Sequence, residues 1–224
     1  MGYVLLNIVL AAVPSVIILV FIYRKDRGGK EPPRLVFMAF IVGFFAVIPA
    51  IILEILFSEV GVRFTGMAYQ LFRAFIIAAA VEEGVKLGVV RLFLYKRKHF
   101  DEVADGILYT IAASLGFAFF ENILYSFGPT SLIIVRGITA VPLHASASGI
   151  LGYFIGTTKA TGKNSLFTGL FWAIVIHGLY NFLLFTGSWP AFLVFPLLII
   201  SIAILRKLYK KAQKYDLESH AAKG

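Results

Sequence analysis

The chain contains no cysteine and is poor in charged residues. Of its 224 residues, 15% are charged and 59% are hydrophobic, whereas an average soluble domain has roughly 25% charged residues. Without cysteine there is no disulfide framework, no thiolate-ligated zinc or iron–sulfur cluster and no thiol nucleophile. So apolar a composition also excludes a water-soluble globule. Any chemistry must therefore use Glu, His, Asn, Ser or Lys side chains.

Long polar segments are also missing. Seven apolar stretches follow one another, each of about 17 to 27 residues, which is enough to cross a ~30 Å hydrocarbon core as a helix. They lie at about residues 3–23, 35–57, 68–95, 105–127, 131–156, 166–186 and 190–206. The segments between them are too short to bury a core of their own. The sequence predicts an all-α membrane helix bundle of seven spans that forms one domain, residues 1–224.

Acidic residues are outnumbered, and the excess of basic residues has a topological pattern. The 21 Lys and Arg against 12 Asp and Glu give a net charge of +9. The basic residues follow spans one, three, five and seven, whereas the opposite loops contain only Arg63. Because basic loops stay in the cytoplasm, we expect a multi-pass protein of the cell membrane with its N-terminus outside and a basic cytoplasmic tail at 207–224. The positive charge therefore needs no nucleic-acid partner.

Ionisable residues at membrane depth are few, and a charge there costs at least a few kcal/mol and usually marks function. The candidates come from four spans: Glu82, Glu83 and Lys86 in span three, Glu121 in span four, Arg136 and His144 in span five, and His177 and Asn181 in span six. In span three, the lysine lies one helical turn from both carboxylates.

Helix geometry predicts which of these residues meet. At ~1.5 Å per residue, the glutamate pair and both histidines lie about 15 to 23 Å from the outer ends of their spans, and Glu121 lies about 9 Å from its own. Two carboxylates and two imidazoles brought to one depth by three helices are the composition of a hydrolytic or metal site. We expect spans three to six to form the polar centre.

Structural roles compete with this interpretation. A single buried histidine is often an interhelical hydrogen-bond partner, and the lysine of span three could neutralise a carboxylate. One lysine cannot compensate two carboxylates, however, and the residual repulsion suits a general acid or base. Glu121 and Arg136 are predicted to form an ion pair, which does not exclude Glu121 from the site. Glu54 and Arg73, near the outer ends of spans two and three, are predicted to pair or to snorkel.

Sequence motifs recur in order along spans three to six. They are Glu82-Glu83-x-x-Lys86, Phe100-Asp101-Glu102 with Asp105-Gly-Ile and Tyr109, Ser114-Leu-Gly-Phe117-x-x-x-Glu121-Asn-Ile-Leu-Tyr125, Arg136 with Pro142-x-His144, and His177-Gly-x-Tyr180. In these motifs the chain resembles the PrsW-type intramembrane proteases, distant relatives of the CAAX prenyl endopeptidases, over roughly residues 15–205. The resemblance implies a polytopic membrane peptidase that needs the paired glutamates and the span-six histidine, and regulatory cleavage of a membrane-anchored anti-sigma factor. Asn181 departs from the pattern, since some members have an acid there.

Two mechanisms are open for these residues. In both, Glu82 or Glu83 is the base, Lys86 holds the other carboxylate, and Lys86 or Asn181 faces the oxyanion. In the first, His144, His177 and a carboxylate from Glu121 or the glutamate pair bind Zn²⁺ and leave one position open for water. In the second, no metal is present and the histidines donate protons and stabilise the oxyanion. The sequence lacks a helical His-Glu-x-x-His, but two imidazoles beside a carboxylate suit zinc better than magnesium or calcium.

Two other classes of function compete with a peptidase. A non-catalytic scaffold or chaperone is one, because a subunit of gamma-secretase to which this family is related serves as a scaffold. A proton-coupled transporter would also need buried Glu, His and Lys, but it predicts inverted repeats and discontinuous helices that the sequence does not show. We therefore predict an integral-membrane endopeptidase acting on a membrane-anchored protein.

Overall fold

The computed structural model describes residues 2–25, 31–187 and 189–222, and within these ranges it contains helices and no strand. The α-helices are α1 (Gly2–Lys25), α2 (Pro33–Gly61), α3 (Gly66–Leu71), α4 (Val81–Phe93), α5 (Val103–Tyr125), α6 (Thr130–Ile138), α7 (Ala140–Thr161), α8 (Leu166–Thr186) and α9 (Val194–Ala221). A π-helical segment, Phe72–Ala80, joins α3 to α4, and a 3₁₀ segment, Trp189–Leu193, precedes α9. The predicted all-α class is confirmed.

Each predicted span corresponds to one helical run. Span three is built from α3, the π-helical segment and α4, and span five from α6 and α7; the other five spans are α1, α2, α5, α8 and α9. Six of the runs in the described residues are long and apolar enough to cross a membrane. The remaining run is span three, which the π-helical segment interrupts and which contains the charged residues of α4. π-helical insertions of this kind are frequent at functional sites.

Spans four and five are the inner helices of the bundle, as their small residues predict. Nearly every residue of α5 from Val103 to Ala118 is buried, and so is most of α7, whereas α1, α2 and α9 leave large apolar side chains exposed. α5 and α7 approach each other closely at Gly106 and Gly152. A Cβ atom on Gly152 would lie 2.3 Å from the carbonyl oxygen of Gly106, so the crossing requires glycine.

The segment predicted as a tail is helical as far as Ala221, because α9 continues past the predicted end of span seven. Its carboxylate Asp216 accepts hydrogen bonds from the backbone N–H groups of Val103 at 2.8 Å and Ala104 at 3.0 Å. These are among the N–H groups that the start of a helix leaves without an intrahelical acceptor. The end of α9 therefore caps the central helix α5.

Candidate active site

Five buried residues from three helices form a polar cluster. They are Glu82, Glu83 and Lys86 of α4, His144 of α7 and His177 of α8. The side chains of Glu83 and Lys86 have no accessible surface, those of the two histidines retain 3% and that of Glu82 retains 8%. The structure thus brings together the carboxylates and imidazoles that the sequence placed at a common depth.

Lys86 lies between the acceptors of the cluster. Its Nζ donates to Glu83 Oε1 at 2.8 Å and to Glu82 Oε2 at 3.2 Å. The same Nζ lies 2.9 Å from His144 Nδ1, and a neutral imidazole nitrogen accepts there. All three ammonium protons have acceptors, and the ammonium also lies 4.4 Å from the centre of the Phe117 ring. Lys86 therefore has no proton left for an oxyanion in this arrangement.

Glu83 is the most completely hydrogen-bonded member of the cluster. Its Oε1 accepts from Lys86 and from His177 Nδ1, the latter at 3.0 Å, and its Oε2 accepts from Ser148 Oγ at 2.7 Å. Ser114 Oγ donates in turn to Ser148 Oγ at 2.9 Å. A carboxylate so enclosed orients its neighbours and is not exposed to a substrate.

Sequence reasoning missed Ser148 as a site residue, and it noted Ser114 only as part of a motif. A signal for Ser148 was present: it lies four residues after His144, and residues at this spacing share a face of a helix. Serine is common at helix contacts in membranes, so its presence alone does not indicate a site.

Glu121 of α5 extends the cluster on the side of His144. Its Oε2 lies 3.0 Å from His144 Nε2, and its Oε1 lies 2.8 Å from Arg136 Nη2. The predicted ion pair with Arg136 is confirmed. The depth count that placed Glu121 apart from the histidines was wrong, because it treated span five as one straight helix. The backbone in fact breaks at Thr139, between α6 and α7.

Four other residues that the sequence singled out are not members of the cluster. Of the two alternatives for Glu54 and Arg73, pairing or snorkelling, the described residues show no ion pair between them, and the Arg73 guanidinium lies 4.0 Å from the centre of the Phe185 ring. Asp105, which we expect from the sequence to begin span four as its N-cap, is the third residue of α5, and Glu102 is the N-cap. Asn181 lies one turn after His177, and its side chain makes no hydrogen bond to the described residues.

A cavity of about 260 Å³ connects the cluster to the end of α5 at Tyr125. It lies against α2, and its polar lining consists of Glu54, Glu82, Glu121 and the Tyr125 hydroxyl, while the remaining lining residues are apolar. At ~30 Å³ for each molecule of liquid water, the cavity has room for several. Within the adjacent glutamate pair, Glu82 therefore faces the space that water can enter, and Glu83 lies behind it.

The cluster fits a catalytic metal centre. One ligand atom each of Glu82, His144 and His177 lies within 4.8 Å of the others, and His144 Nδ1 and His177 Nε2 are each 3.9 Å from Glu82 Oε2. Since each histidine donates its other N–H to a carboxylate, these two nitrogens are the unprotonated ones, and that of His144 accepts from Lys86. Two imidazoles and one carboxylate are a known ligand set of catalytic zinc. Carboxylates on the outer nitrogens, here Glu83 and Glu121, orient metal-binding histidines.

The geometry favours Glu82 over Glu121 as the third ligand. Within the described residues, Glu121 is not a member of the ligand group that contains both histidines. Lys86 would have to release His144 Nδ1 before that nitrogen could bind an ion, because Nζ lies 2.9 Å from it.

Comparison with known proteins gives a family and several relatives. A family model described as PrsW family intramembrane metalloprotease matches residues 31–205. The protein named Protease PrsW of Clostridioides difficile (strain 630) is 33% identical over 217 residues, covering 92% of this chain and 90% of its own length. Protease PrsW of Geobacillus kaustophilus (strain HTA426) is 34% identical over 207 residues, 90% of each chain. That of Bacillus subtilis (strain 168) is 28% identical over 209 residues, 91% of this chain and 94% of its own. No solved structure matches.

Proposed function

The chain belongs to the PrsW family of intramembrane metalloproteases. From this premise we propose that it hydrolyses a peptide bond of a membrane-anchored protein, and that its active site consists of Glu82, Glu121, His144 and His177. It is a multi-pass membrane peptidase. The observation that carries the assignment of residues is the cavity of about 260 Å³, which Glu82 and Glu121 both line, beside the histidines that these two glutamates contact.

Glu82, His144 and His177 are the residues that would hold the metal, and we propose Zn²⁺ as its identity. Bound there, zinc would polarise the peptide carbonyl and lower the pKa of a water molecule. Glu83 and Glu121 accept the N–H groups of the opposite ring nitrogens, which leaves His177 Nε2 and His144 Nδ1 unprotonated, the latter once Lys86 releases it. Glu83 and Lys86 thus serve as positioning residues in the proposal.

A carboxylate that faces the cavity accepts the proton of the attacking water. When Glu82 is a metal ligand, this base is Glu121, whose side chain is 21% exposed and lines the same cavity. In the mechanism without metal, Glu82 is the base and the histidines assist it. Arg136 holds Glu121 in place in both cases through their ion pair at 2.8 Å. The two mechanisms therefore assign the base to different glutamates.

Purified protein in liposomes with a single-span substrate tests the assignment. We expect Glu82→Gln, Glu121→Gln and His177→Ala each to lower the cleavage rate by roughly 10²- to 10⁴-fold, while Glu218→Gln on the exposed end of α9, which makes the same change of charge, leaves it unchanged. If the three site variants cleave at the rate of the control, these residues are not the site.

Metal content separates the two mechanisms. We expect elemental analysis to find about one zinc per chain, and chelation followed by zinc addition to abolish and then restore cleavage. The Glu82→Gln and His144→Ala proteins should retain less zinc than Glu121→Gln, because Glu121 is outside the proposed ligand set. Full activity with well under one metal ion per chain would refute the zinc mechanism and leave Glu82 as the base.

The proposed substrate is a membrane-anchored anti-sigma factor, and its cleavage would be regulatory. This part rests on the family resemblance of the motifs and not on a feature of the site. Coexpression of the protease with candidate anchored anti-sigma factors, followed by immunoblotting, tests it. Accumulation of a shortened product that requires Glu82 supports the proposal, and intact candidates beside a cleaved single-span control protein would contradict it.

A further inference from the structure

A second cavity lies outside the active site and shares no residue with its cavity. It has a volume of about 470 Å³ and lies between α1, α5, α7 and α9. Its walls are apolar over most of their length, with Ile18, Ile107, Ile111 and Leu205 among them, and α7 contributes the short side chains of Pro142 and Ala145. We call this space the basic-end groove, because of the residues at one of its ends.

Two cations stand at that end of the groove. Lys25 is in the last turn of α1 and Arg206 is on α9, and both side chains are exposed. Neither forms a salt bridge with any residue that the structure describes, and no carboxylate lines the groove. Tyr209 joins the two helices there, since its hydroxyl donates to the backbone oxygen of Lys25 at 3.2 Å. The groove therefore combines an apolar channel with an end that carries two positive charges and, among the described residues that line it, no negative one.

The position of the cations matches the interface of a bilayer. Lys25 ends the first apolar span and Arg206 the last one, so both side chains reach the level of lipid headgroups while the groove runs toward the membrane centre. A Lys or Arg side chain near a surface of anionic lipid is attracted electrostatically to the negative headgroups. The other end of the groove, at Pro142 and Ala145, lies on the α7 turn that contains His144.

The groove is too small to enclose a transmembrane helix. A helix about 10 Å across rises about 5.4 Å in one turn, so 470 Å³ holds only about one turn. A transmembrane substrate needs about 20 residues to cross the membrane. A single flexible hydrocarbon chain has no such width and can follow the channel between α1 and α9.

We propose that the basic-end groove binds one anionic phospholipid of the surrounding leaflet, with an acyl chain in the apolar channel and the phosphate between Lys25 and Arg206. The lipid fills the gap behind the α7 turn that contains His144 and connects α1 to α9. A ligand that binds the folded state stabilises it, so the bound lipid should raise the melting temperature of the protein.

Lipid binding to the full-length protein in detergent tests the charge component. Native mass spectrometry and thermal unfolding would be measured with added phosphatidylglycerol or phosphatidylcholine. We expect preferential retention of phosphatidylglycerol, and a loss of affinity of roughly tenfold or more in Lys25→Gln/Arg206→Gln. The control Lys207→Gln/Lys210→Gln removes the same charge from exposed positions outside the groove and should change affinity little. Equal losses in the two double variants would show general attraction to the basic end and overturn the proposal.

A pair of tryptophan variants tests the apolar channel without changing charge. Ile202 lines the groove and Ile204 does not, although both are exposed on α9. We expect Ile202→Trp to fill the channel and weaken binding of phosphatidylglycerol, and Ile204→Trp to bind as the wild type does. Unchanged binding in Ile202→Trp would overturn the proposal, and so would a melting shift of the same size with inorganic phosphate alone. Crosslinking from position 202 to a single-span substrate in place of the lipid would assign the groove to the substrate.

Discussion

At the residue scale, Lys86 supplies the one formal positive charge of the polar cluster. Two carboxylates and an imidazole nitrogen surround its ammonium at 2.8 to 3.2 Å, in a space with no accessible surface for the lysine. Taking charges out of water costs several kcal/mol per ion, and only close pairing offsets that cost. The lysine therefore lets two glutamates remain side by side in the membrane.

Replacing this lysine should destabilise the protein more than replacing its partner Glu82. We expect Lys86→Ala to lower the free energy of unfolding by about 3 to 5 kcal/mol, since it leaves buried carboxylates without a counter-ion. Glu82→Ala should cost less, because Lys86 then keeps Glu83. Thermal unfolding of both proteins in one detergent measures the difference. Equal or reversed shifts would show that Lys86 is not the counter-ion of the pair.

A second residue-scale prediction concerns the serine that holds Glu83. Ser148→Ala removes the donor to Glu83 Oε2 and should cost about 1 to 3 kcal/mol of stability. It should also lower kcat, because Glu83 orients His177. Ser146→Ala is the matched control two residues earlier on α7, where Ser146 pairs with Ser201 away from the cluster. The prediction fails if the two variants lose kcat to the same degree.

At the element scale, the contact of α5 with α7 fixes the distance between Glu121 and His144. Close approach of these helices depends on glycines without side chains, and the added Cβ of an alanine at position 152 would lie 2.3 Å from a backbone oxygen. Backbone atoms cannot move aside as the end of a flexible side chain can. The glycine contact and the active site are therefore coupled through the separation of the two helices.

Substitution of one of these glycines tests that coupling. Gly152→Ala should cost about 1 to 3 kcal/mol of stability by overpacking and should lower cleavage as Glu121 and His144 separate. Gly88→Ala on α4 is the control, because its added Cβ meets nothing within 4 Å and alanine is the better helix former by about 0.5 to 1 kcal/mol. A Gly152→Ala protein as stable and active as the Gly88→Ala protein would contradict the role of the close contact.

The elements that the bilayer dictates could be predicted from the sequence, and those that packing decides could not. Apolar length gives the number of spans, and ionisable residues at depth indicate the helices that meet at the site. Which of two adjacent glutamates faces water depends on a 100° rotation that only the packed helices define. The π-helical segment and the break at Thr139 leave no mark in the apolar pattern, so the depth of Glu121 relative to His144 was predicted wrongly.

At the scale of the whole molecule, the active-site cavity and the basic-end groove lie toward opposite ends of the bundle. The cavity that leads to the cluster lies near Tyr125, at the end of α5, whereas the basic-end groove reaches Lys25 and Arg206. Positive loops remain in the cytoplasm. We therefore expect water to enter the site from outside the cell and the groove to face the inner leaflet.

Labelling of single cysteines tests this orientation, and the absence of native cysteine makes the background low. Pro129 and Thr161 lie in exposed positions at opposite ends of the bundle. We expect Pro129→Cys to react with a membrane-impermeant maleimide in intact cells, and Thr161→Cys to react only after permeabilisation. The reverse pattern would invert the topology and place the entrance of the active site in the cytoplasm.

The cap that Asp216 provides also imposes an order on biosynthesis. The ribosome adds Asp216 113 residues after Val103, whose N–H group it accepts. At a translation rate of about 5 to 20 residues per second, Asp216 is added roughly 5 to 25 seconds after the start of α5. All residues of the polar cluster are translated within that interval or before it. A nascent chain therefore contains every residue of the polar cluster before Asp216 can accept the N–H groups of Val103 and Ala104, and until then the start of α5 has only its own capping residues, Glu102 and Asp105.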